Sequence, residues 1–128
     1  MPGIDVMVAR VMSLITRDAM LQVRGRRSGR MRTTLARVIE VRGNRYLLAI
    51  RGETQWARNL RAAGDAVLRE RGASKRVRAI EVDDAERQAV FEAYLDSSNY
   101  APTRRILTDL LPNADEHPVF KIQPLSGG

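Results

Sequence analysis

The octet GRRSGRMR, residues 25–32, connects two segments that are predicted as strands, and it contains four arginines, two glycines and a serine. Glycine lets a backbone approach a ligand closely, serine donates a hydrogen bond, and guanidinium groups grip oxyanions. These residue types predict a loop that binds a phosphate or polycarboxylate group. A solvated basic turn is an equally good interpretation of the octet by itself.

The composition indicates one globular domain, residues 1–128, of which 44% are hydrophobic. The chain has no cysteine, which excludes disulfides, thiolate metal sites and a cysteine nucleophile. With the single histidine His117, no multi-histidine metal centre can form, and we expect no metal. The net charge of +7 favours an acidic partner. However, basic residues that are almost all arginine are also typical of proteins from a GC-rich genome.

The N-terminal segment is apolar at helical spacing, through Ile4, Val8, Val11 and Ile15, and predicts a helix over residues 3–16. We expect it to pack on the domain, and peripheral membrane contact is the weaker hypothesis. No segment reaches the roughly 18 apolar residues that span a membrane, and no signal-peptide pattern is present. The expected location is therefore the cytoplasm.

Alternating apolar residues and turn signals predict several short strands, at residues 19–24, 32–42, 46–50, 66–71, 75–82 and 119–122. A helix begins after Thr54 and ends at Gly64, and a second begins after Asp83 and runs to about Leu95. Residues 97–112 are expected to be irregular or partly helical. The pattern predicts an α+β fold, a small antiparallel barrel with peripheral helices.

The order of three motifs is more specific than any one of them. The run LQVRGRRSGRMRTT (21–34) is followed by an apolar strand with a glycine-containing loop, then by WARNLRA (56–62), and finally by HPVFKI (117–122). In this order and spacing the chain resembles the deazaflavin-dependent nitroreductase family, from about Ala19 to Ile122.

The resemblance implies a split β-barrel like that of FMN-binding oxidases, with a core over residues 19–124, and it implies coenzyme F420 as the cofactor. This 5-deazaflavin carries a phosphodiester and an oligoglutamate tail, which a cluster of arginines suits. The residues that would clamp the phosphate and tail are Arg27, Ser28, Gly29 and Arg32. Arg26 and Arg30 stay open between clamp residues and ordinary surface charges.

The resemblance also implies that the backbone of Ala49, Ile50, Arg51 and Gly52 faces the deazaflavin ring. Trp56 is expected near the coenzyme, where the residue type alone would predict a core anchor. Asn59 is expected either to contact the coenzyme or to fix the loop.

Two residue types bear on acid or base chemistry. His117, before a proline at the start of a strand, is expected to be structural rather than catalytic. Tyr94 fits the core of its predicted helix, which leaves Tyr100 as the candidate to orient a substrate or donate a proton.

The implied function is hydride transfer from reduced F420 to an apolar, electron-poor acceptor such as a quinone or nitroaromatic compound. We also expect the protein to form a homodimer. One alternative is a split barrel that binds FMN, haem or a fatty acid without deazaflavin chemistry, and FMN is the second choice of cofactor. A basic nucleic-acid-binding barrel is disfavoured, because aromatic residues make up only 5% of the chain and no strand carries paired aromatics for base stacking.

Overall fold

A computed structural model of the protein describes residues 15–41, 43–97, 105, 106, 109 and 113–125. These residues form six strands, two α-helices and a short 3-10 helix. The strands are β1 (Ile15–Arg24), β2 (Met31–Val41), β3 (Asn44–Leu48), β4 (Asp65–Glu70), β5 (Ala73–Glu81) and β6 (Val119–Pro124). The helices are α1 (Gln55–Ala63) and α2 (Asp84–Ser97), and the 3-10 turn is Ala114–Glu116.

The six strands close into an antiparallel barrel in the order β1-β2-β3-β6-β5-β4. The last join is between β1 and β4, where Leu21 lies opposite Leu68. Closure leaves no sheet edge unpaired along the ring, which removes the tendency of open edges to aggregate. The α+β barrel that the sequence predicts is confirmed.

Half of the barrel is buried on both faces. Because side chains alternate along a strand, Val38, Leu47 and Phe120 point into the barrel, while Ile39, Leu48 and Val119 pack outward against α2. Strands covered on both sides carry nearly continuous apolar runs, as in Tyr46-Leu47-Leu48. Strands β4 and β5 instead alternate buried residues with exposed ones.

Helix α1 connects β3 to β4 and contributes the buried residues Ala57 and Leu60 to the barrel core. Its limits agree with the sequence prediction. The Thr54 hydroxyl accepts a hydrogen bond from the Ala57 N–H at 3.4 Å, and Gly64 ends the helix in the left-handed conformation with φ 79°.

Helix α2 begins as predicted, because the Asp83 carboxylate accepts a hydrogen bond from the Glu86 N–H at 2.9 Å. The Glu86 side chain, however, accepts a hydrogen bond from the hydroxyl of Tyr46 at 2.7 Å. This carboxylate therefore ties the helix to strand β3.

Three predictions need correction or lie beyond the described residues. Residues 15 and 16 belong to β1, because their backbones pair with β2, so the predicted helix over 3–16 is wrong at its end, and its remainder lies outside the described residues. The β4–β5 turn is Arg71-Gly72, both at positive φ as a tight hairpin requires, so β5 begins earlier than expected. Most of the segment 97–112 also lies outside the described part.

Neither helix of the described residues is long and apolar enough to cross a membrane.

Burial and the neighbouring Glu86 carboxylate raise the pKa of Tyr46 far above its usual range. The unfolded chain ionises this phenol near pH 10, whereas the folded chain retains the proton, so the stabilisation is complete below about pH 10 and is lost as the pH rises further. We expect Tyr46→Phe to cost about 1 kcal/mol at pH 8 and to flatten the loss of stability above pH 10. Urea unfolding of both proteins at pH 8 and pH 11 measures this, and an equal alkaline loss in the two proteins would contradict it.

Candidate functional site

The loop between β1 and β2 is closed by its own backbone. Gly25 donates to the carbonyl of Arg30 at 2.8 Å, and Gly29 donates to the carbonyl of Gly25 at 2.9 Å. Gly29 has φ +74°, a conformation that favours glycine, and a Cβ on Gly25 would lie 2.9 Å from the Ser28 hydroxyl. Both glycines of the octet are therefore required by the loop's shape.

A buried asparagine fixes this loop to helix α1. The Asn59 carbonyl oxygen accepts hydrogen bonds from the Arg26 backbone N–H at 3.1 Å and from the Arg26 guanidinium at 2.8 Å. The same guanidinium donates to Gln55, one turn earlier on the helix, at 3.0 Å. Arg26 thus has a structural role, since it joins the loop to α1, and the interpretation of Arg26 as an ordinary surface charge is wrong.

Two arginines of the loop line a cavity and stay available to a ligand, whereas Arg30, whose guanidinium also has no partner among the described residues, does not line it. The guanidinium groups of Arg27 and Arg32 make no ion pair or hydrogen bond with any other residue that the structure describes. Together with Ser28, Gln55 and Asn59 they line a cavity of about 350 Å³, which we call the loop cavity. Unpaired guanidinium groups on a fixed loop provide charge-assisted donors for an oxyanion.

The segment after β3 forms a tight turn. The Ala49 carbonyl accepts a hydrogen bond from the Gly52 N–H at 3.1 Å, and Gly52 adopts φ +90°. The N–H groups of Ile50 and Arg51, in the middle of the turn, make no hydrogen bond with another described residue. The turn therefore presents two backbone donors that a ligand could use.

His117 holds this turn against the barrel. Its Nδ1 lies 2.9 Å from the Ala49 carbonyl oxygen, and because a carbonyl only accepts, Nδ1 carries the proton. The ring is fully buried and stacks on Phe91 with centroids 5.0 Å apart. This arrangement agrees with the structural role predicted for His117.

Ion pairs fix the other end of the turn. Arg61 of α1 donates to Glu53 at 2.6 Å and to Glu81 of β5 at 2.7 Å. The hydrogen bond from Arg61 lowers the pKa of Glu53, with a further contribution from Arg58, and together they outweigh the opposing effect of burial. Since these side chains are well exposed, the pairs position the turn and add little stability.

The loop cavity continues into two others. A middle cavity of about 410 Å³ shares Arg32 and Asn59 with it, and a far cavity of about 320 Å³ shares Arg51, Thr54 and Trp56 with the middle one. The three cavities adjoin one another along these shared residues, and we call them together the groove, which runs from the arginine loop past Trp56. Its basic end suits an anion, and its other end has more apolar walls.

Trp56 combines the two roles considered for it. It packs against the barrel core with its ring 6.3 Å from that of Phe120, and it also lines the middle and far cavities. The core anchor is thus also a wall of the groove.

The structure brings most of the predicted site residues to this one groove. Those that line it are Arg27, Ser28, Arg32, Ile50, Arg51, Trp56 and Asn59. Gly29, Ala49 and Gly52 shape the backbone beside it. Tyr100 lies outside the described residues, whereas Tyr94 is buried, as predicted.

Sequence reasoning missed Gln55, and it missed Asp18 and Arg37, which line the far cavity. Gln55 and Asn59 are four residues apart on one helix, a spacing that could have indicated a shared polar contact. No comparable local signal joins Asp18 to Arg37.

Comparison with known families identifies the chain. The model of the F420H(2)-dependent quinone reductase family matches residues 5–112, well over half of the sequence. The protein belongs to this family. The prediction of an F420-dependent oxidoreductase is thereby confirmed at the level of the family. A comparison with proteins of curated function gave no significant match.

Solved structures similar to this quinone reductase family member show the same fold. An F420-H2 dependent reductase (FDR-A) is 20% identical, with a TM-score of 0.60 over 83% of this chain and 93% of that one. A protein described as a domain-swapped dimer is 19% identical, with a TM-score of 0.60 over 83% and 79%. A protein of unknown function from Agrobacterium tumefaciens str. C58 is 22% identical, with a TM-score of 0.59 over 93% of this chain, which spans about half of its length (53%).

The hydrogen bonds between Arg26 of the loop and Asn59 of α1 can be tested by replacing the acceptor, Asn59. Asn59→Ala leaves the Arg26 N–H and guanidinium without their shared acceptor, and we expect it to cost about 1–3 kcal/mol of stability. Amide hydrogen exchange across residues 25–30 should accelerate. Asn59→Asp, which retains an oxygen at the same place, should restore most of the protection.

Arg58→Ala serves as the control, because it removes an exposed neighbour on the same helix whose ion pair with Glu53 contributes little. Equal rates of amide exchange across residues 25–30 in the Asn59→Ala and Arg58→Ala proteins would contradict the role of Asn59 in fixing the loop.

Proposed function

We propose that the protein transfers a hydride from F420H2 to an electron-poor acceptor such as a quinone or nitroaromatic compound, using the groove between the arginine loop and the far cavity. The observation that carries the proposal is the pair of guanidinium groups, Arg27 and Arg32, which have no partner among the described residues and lie at one end of a groove whose other end is walled by Trp56. Polarity along the groove thus matches a coenzyme with an anionic tail and a flat, largely apolar ring.

The donor set fits this coenzyme chemically. Its phosphodiester and carboxylates need charge-assisted donors, which Arg27, Ser28 and Arg32 supply on a loop that Asn59 fixes. Its ring has a polar edge with carbonyl groups, for which the N–H groups of Ile50 and Arg51 are donors without partners among the described residues.

When bound, F420H2 would supply the hydride, and the protein supplies position and environment. The arginine loop binds the tail and so fixes the register of the coenzyme along the groove. The turn 49–52, held by His117 and Arg61, orients the ring edge, while Trp56 excludes water from one side. These roles require no side-chain nucleophile.

The preference for F420 over FMN belongs to the same proposal. Both have a phosphate, but only F420 continues into an oligoglutamate tail, and a second guanidinium in the loop cavity without a partner among the described residues suits that longer anion. FMN remains the second choice of cofactor.

We also propose a homodimer, which the structural similarity to a domain-swapped dimer supports. The exposed apolar pair Met20 and Leu35, opposite each other on β1 and β2, supports a covered face there. Light scattering should then give about twice the chain mass of 14.4 kDa. The cytoplasmic location and a membrane contact by residues 3–16 stay predictions, and 3–14 lie outside the described part.

A fluorescence titration with F420, and with FMN as competitor, tests the function directly. Tight binding of F420 with weak competition by FMN is expected, followed by F420H2 oxidation when a quinone is added. Preference for FMN would retain the fold and change the enzyme class, and binding of neither would overturn the proposal.

The double variant Arg27→Ala/Arg32→Ala should weaken F420 binding about 100-fold or more, because each lost charge-assisted bond contributes about 1.5–3 kcal/mol. The melting temperature should hardly change, since neither guanidinium has a partner among the described residues. The matched control is Arg69→Ala/Arg78→Ala, which removes the same charge from exposed positions on β4 and β5. Unchanged affinity in the first variant, or an equal loss in both, would contradict the clamp.

A further inference from the structure

The far cavity has two charged groups that the coenzyme roles above do not use, Asp18 and Arg37. Its walls include the apolar side chains of Leu48, Ile50 and Trp56, and Arg37 of β2 lies among them. At about 320 Å³ the cavity is at the lower end of the size range of small-molecule sites. A cation in a mainly apolar cavity favours a flat ligand that presents an oxygen.

Arg37 is held on two sides. Its Nε donates to Asp18 Oδ1 at 2.6 Å, directly across from it on β1, and its Nη1 donates to the hydroxyl of Tyr94 on α2. The guanidinium also lies 5.6 Å from the centroid of the Tyr94 ring, within reach of a cation–π interaction. A strand, its neighbour and a helix thus fix one guanidinium group.

This fixation leaves one donor nitrogen available. Nη2 of Arg37 makes no hydrogen bond with any described residue, and the side chain is 24% exposed. Arg51, at the same cavity, has no partner among the residues that the structure describes and is exposed, so it supplies charge without orientation. A donor fixed in advance stabilises developing negative charge more effectively than a mobile one.

We propose that the far cavity binds the electron acceptor and that Arg37 Nη2 donates a hydrogen bond to a carbonyl or nitro oxygen of that acceptor, with Asp18 and Tyr94 as positioning residues. The inference rests on the proposed function and names the acceptor's place within it. For a quinone, the hydride from F420H2 brings two electrons and one proton, and the negative charge moves onto the carbonyl oxygen beside Arg37. A proton from solvent then completes the hydroquinone.

The substrate class follows from these contacts. The apolar walls accept fused or substituted rings, and the guanidinium requires an oxygen acceptor on the ring. Flat diones and nitroaromatic compounds meet both conditions, whereas hydrocarbons of the same shape meet only the first.

The experiment compares menadione, a bicyclic dione, with 2-methylnaphthalene, which has the same rings without the oxygens. Trp56 is the only tryptophan and lines the cavity, so its fluorescence reports ligand binding to the protein in the absence of F420. Calorimetry repeats the measurement on protein saturated with oxidised F420, which has no hydride to give. The chain has no cysteine, so menadione forms no thiol adduct.

The wild type should bind menadione at least about tenfold more tightly than 2-methylnaphthalene, and Arg37→Gln should abolish this difference while leaving affinity for the hydrocarbon unchanged. Asp18→Asn, which loses only an exposed ion pair and should fold normally, is expected to reduce the difference several-fold. Arg78→Gln, an exposed arginine on β5, is the control of equal charge and should bind as the wild type does.

Two results would overturn the proposal: equal binding of both ligands by the wild type, or the same menadione preference in the Arg37→Gln protein as in the wild type. Failure of the proposed function would give a different result from failure of the acceptor site, because F420 itself would then not bind. The measurement on the protein alone would still decide whether Arg37 recognises the oxygen.

Discussion

The carbonyl oxygen of Ala49 is the point on which the site depends. It accepts one hydrogen bond from the buried His117 ring and another from the Gly52 N–H, while the Ala49 N–H is bound to the carbonyl of Pro118. Strand β3 leaves the barrel here, and the chain must turn within a few residues to enter α1. Both backbone groups of Ala49 are held by the two residues before β6, and these contacts also position the turn and the N–H groups of Ile50 and Arg51.

A second fixed contact, at Asn59, gives the groove its opposite end. Its side-chain oxygen accepts hydrogen bonds from the backbone N–H and from the guanidinium of Arg26, and so joins the arginine loop to α1. Contacts within the protein already order the loop, so a ligand does not have to supply the free energy of ordering it. The loop arginines that have no partner among the described residues can therefore interact with an anion without first breaking a bond to one of those residues.

The sequence predicted features that depend on neighbouring residues. Strand alternation gave the barrel, Thr54, Gly64 and Asp83 gave the helix limits, and the octet gave the loop. It did not predict contacts that join distant parts of the chain: Arg26 and Asn59 are 33 residues apart, and Arg37 and Tyr94 are 57 apart. The start of β1 was missed for a related reason, because pairing with β2 overrides the helical spacing that ends at Ile15.

The unequal covering of the barrel has a consequence for how the protein can change. Where β2, β3 and β6 are covered by α2, consecutive side chains meet packed layers on both faces, as Val38-Ile39, Leu47-Leu48 and Val119-Phe120 do, so substitutions there must preserve volume. The outer faces of β4 and β5, with Arg69, Arg76 and Arg78, meet solvent in the described structure. Mutational robustness is therefore concentrated in one hairpin, and its Arg71-Gly72 tip is the natural place to graft a tag, a label or a fused domain without disturbing the groove.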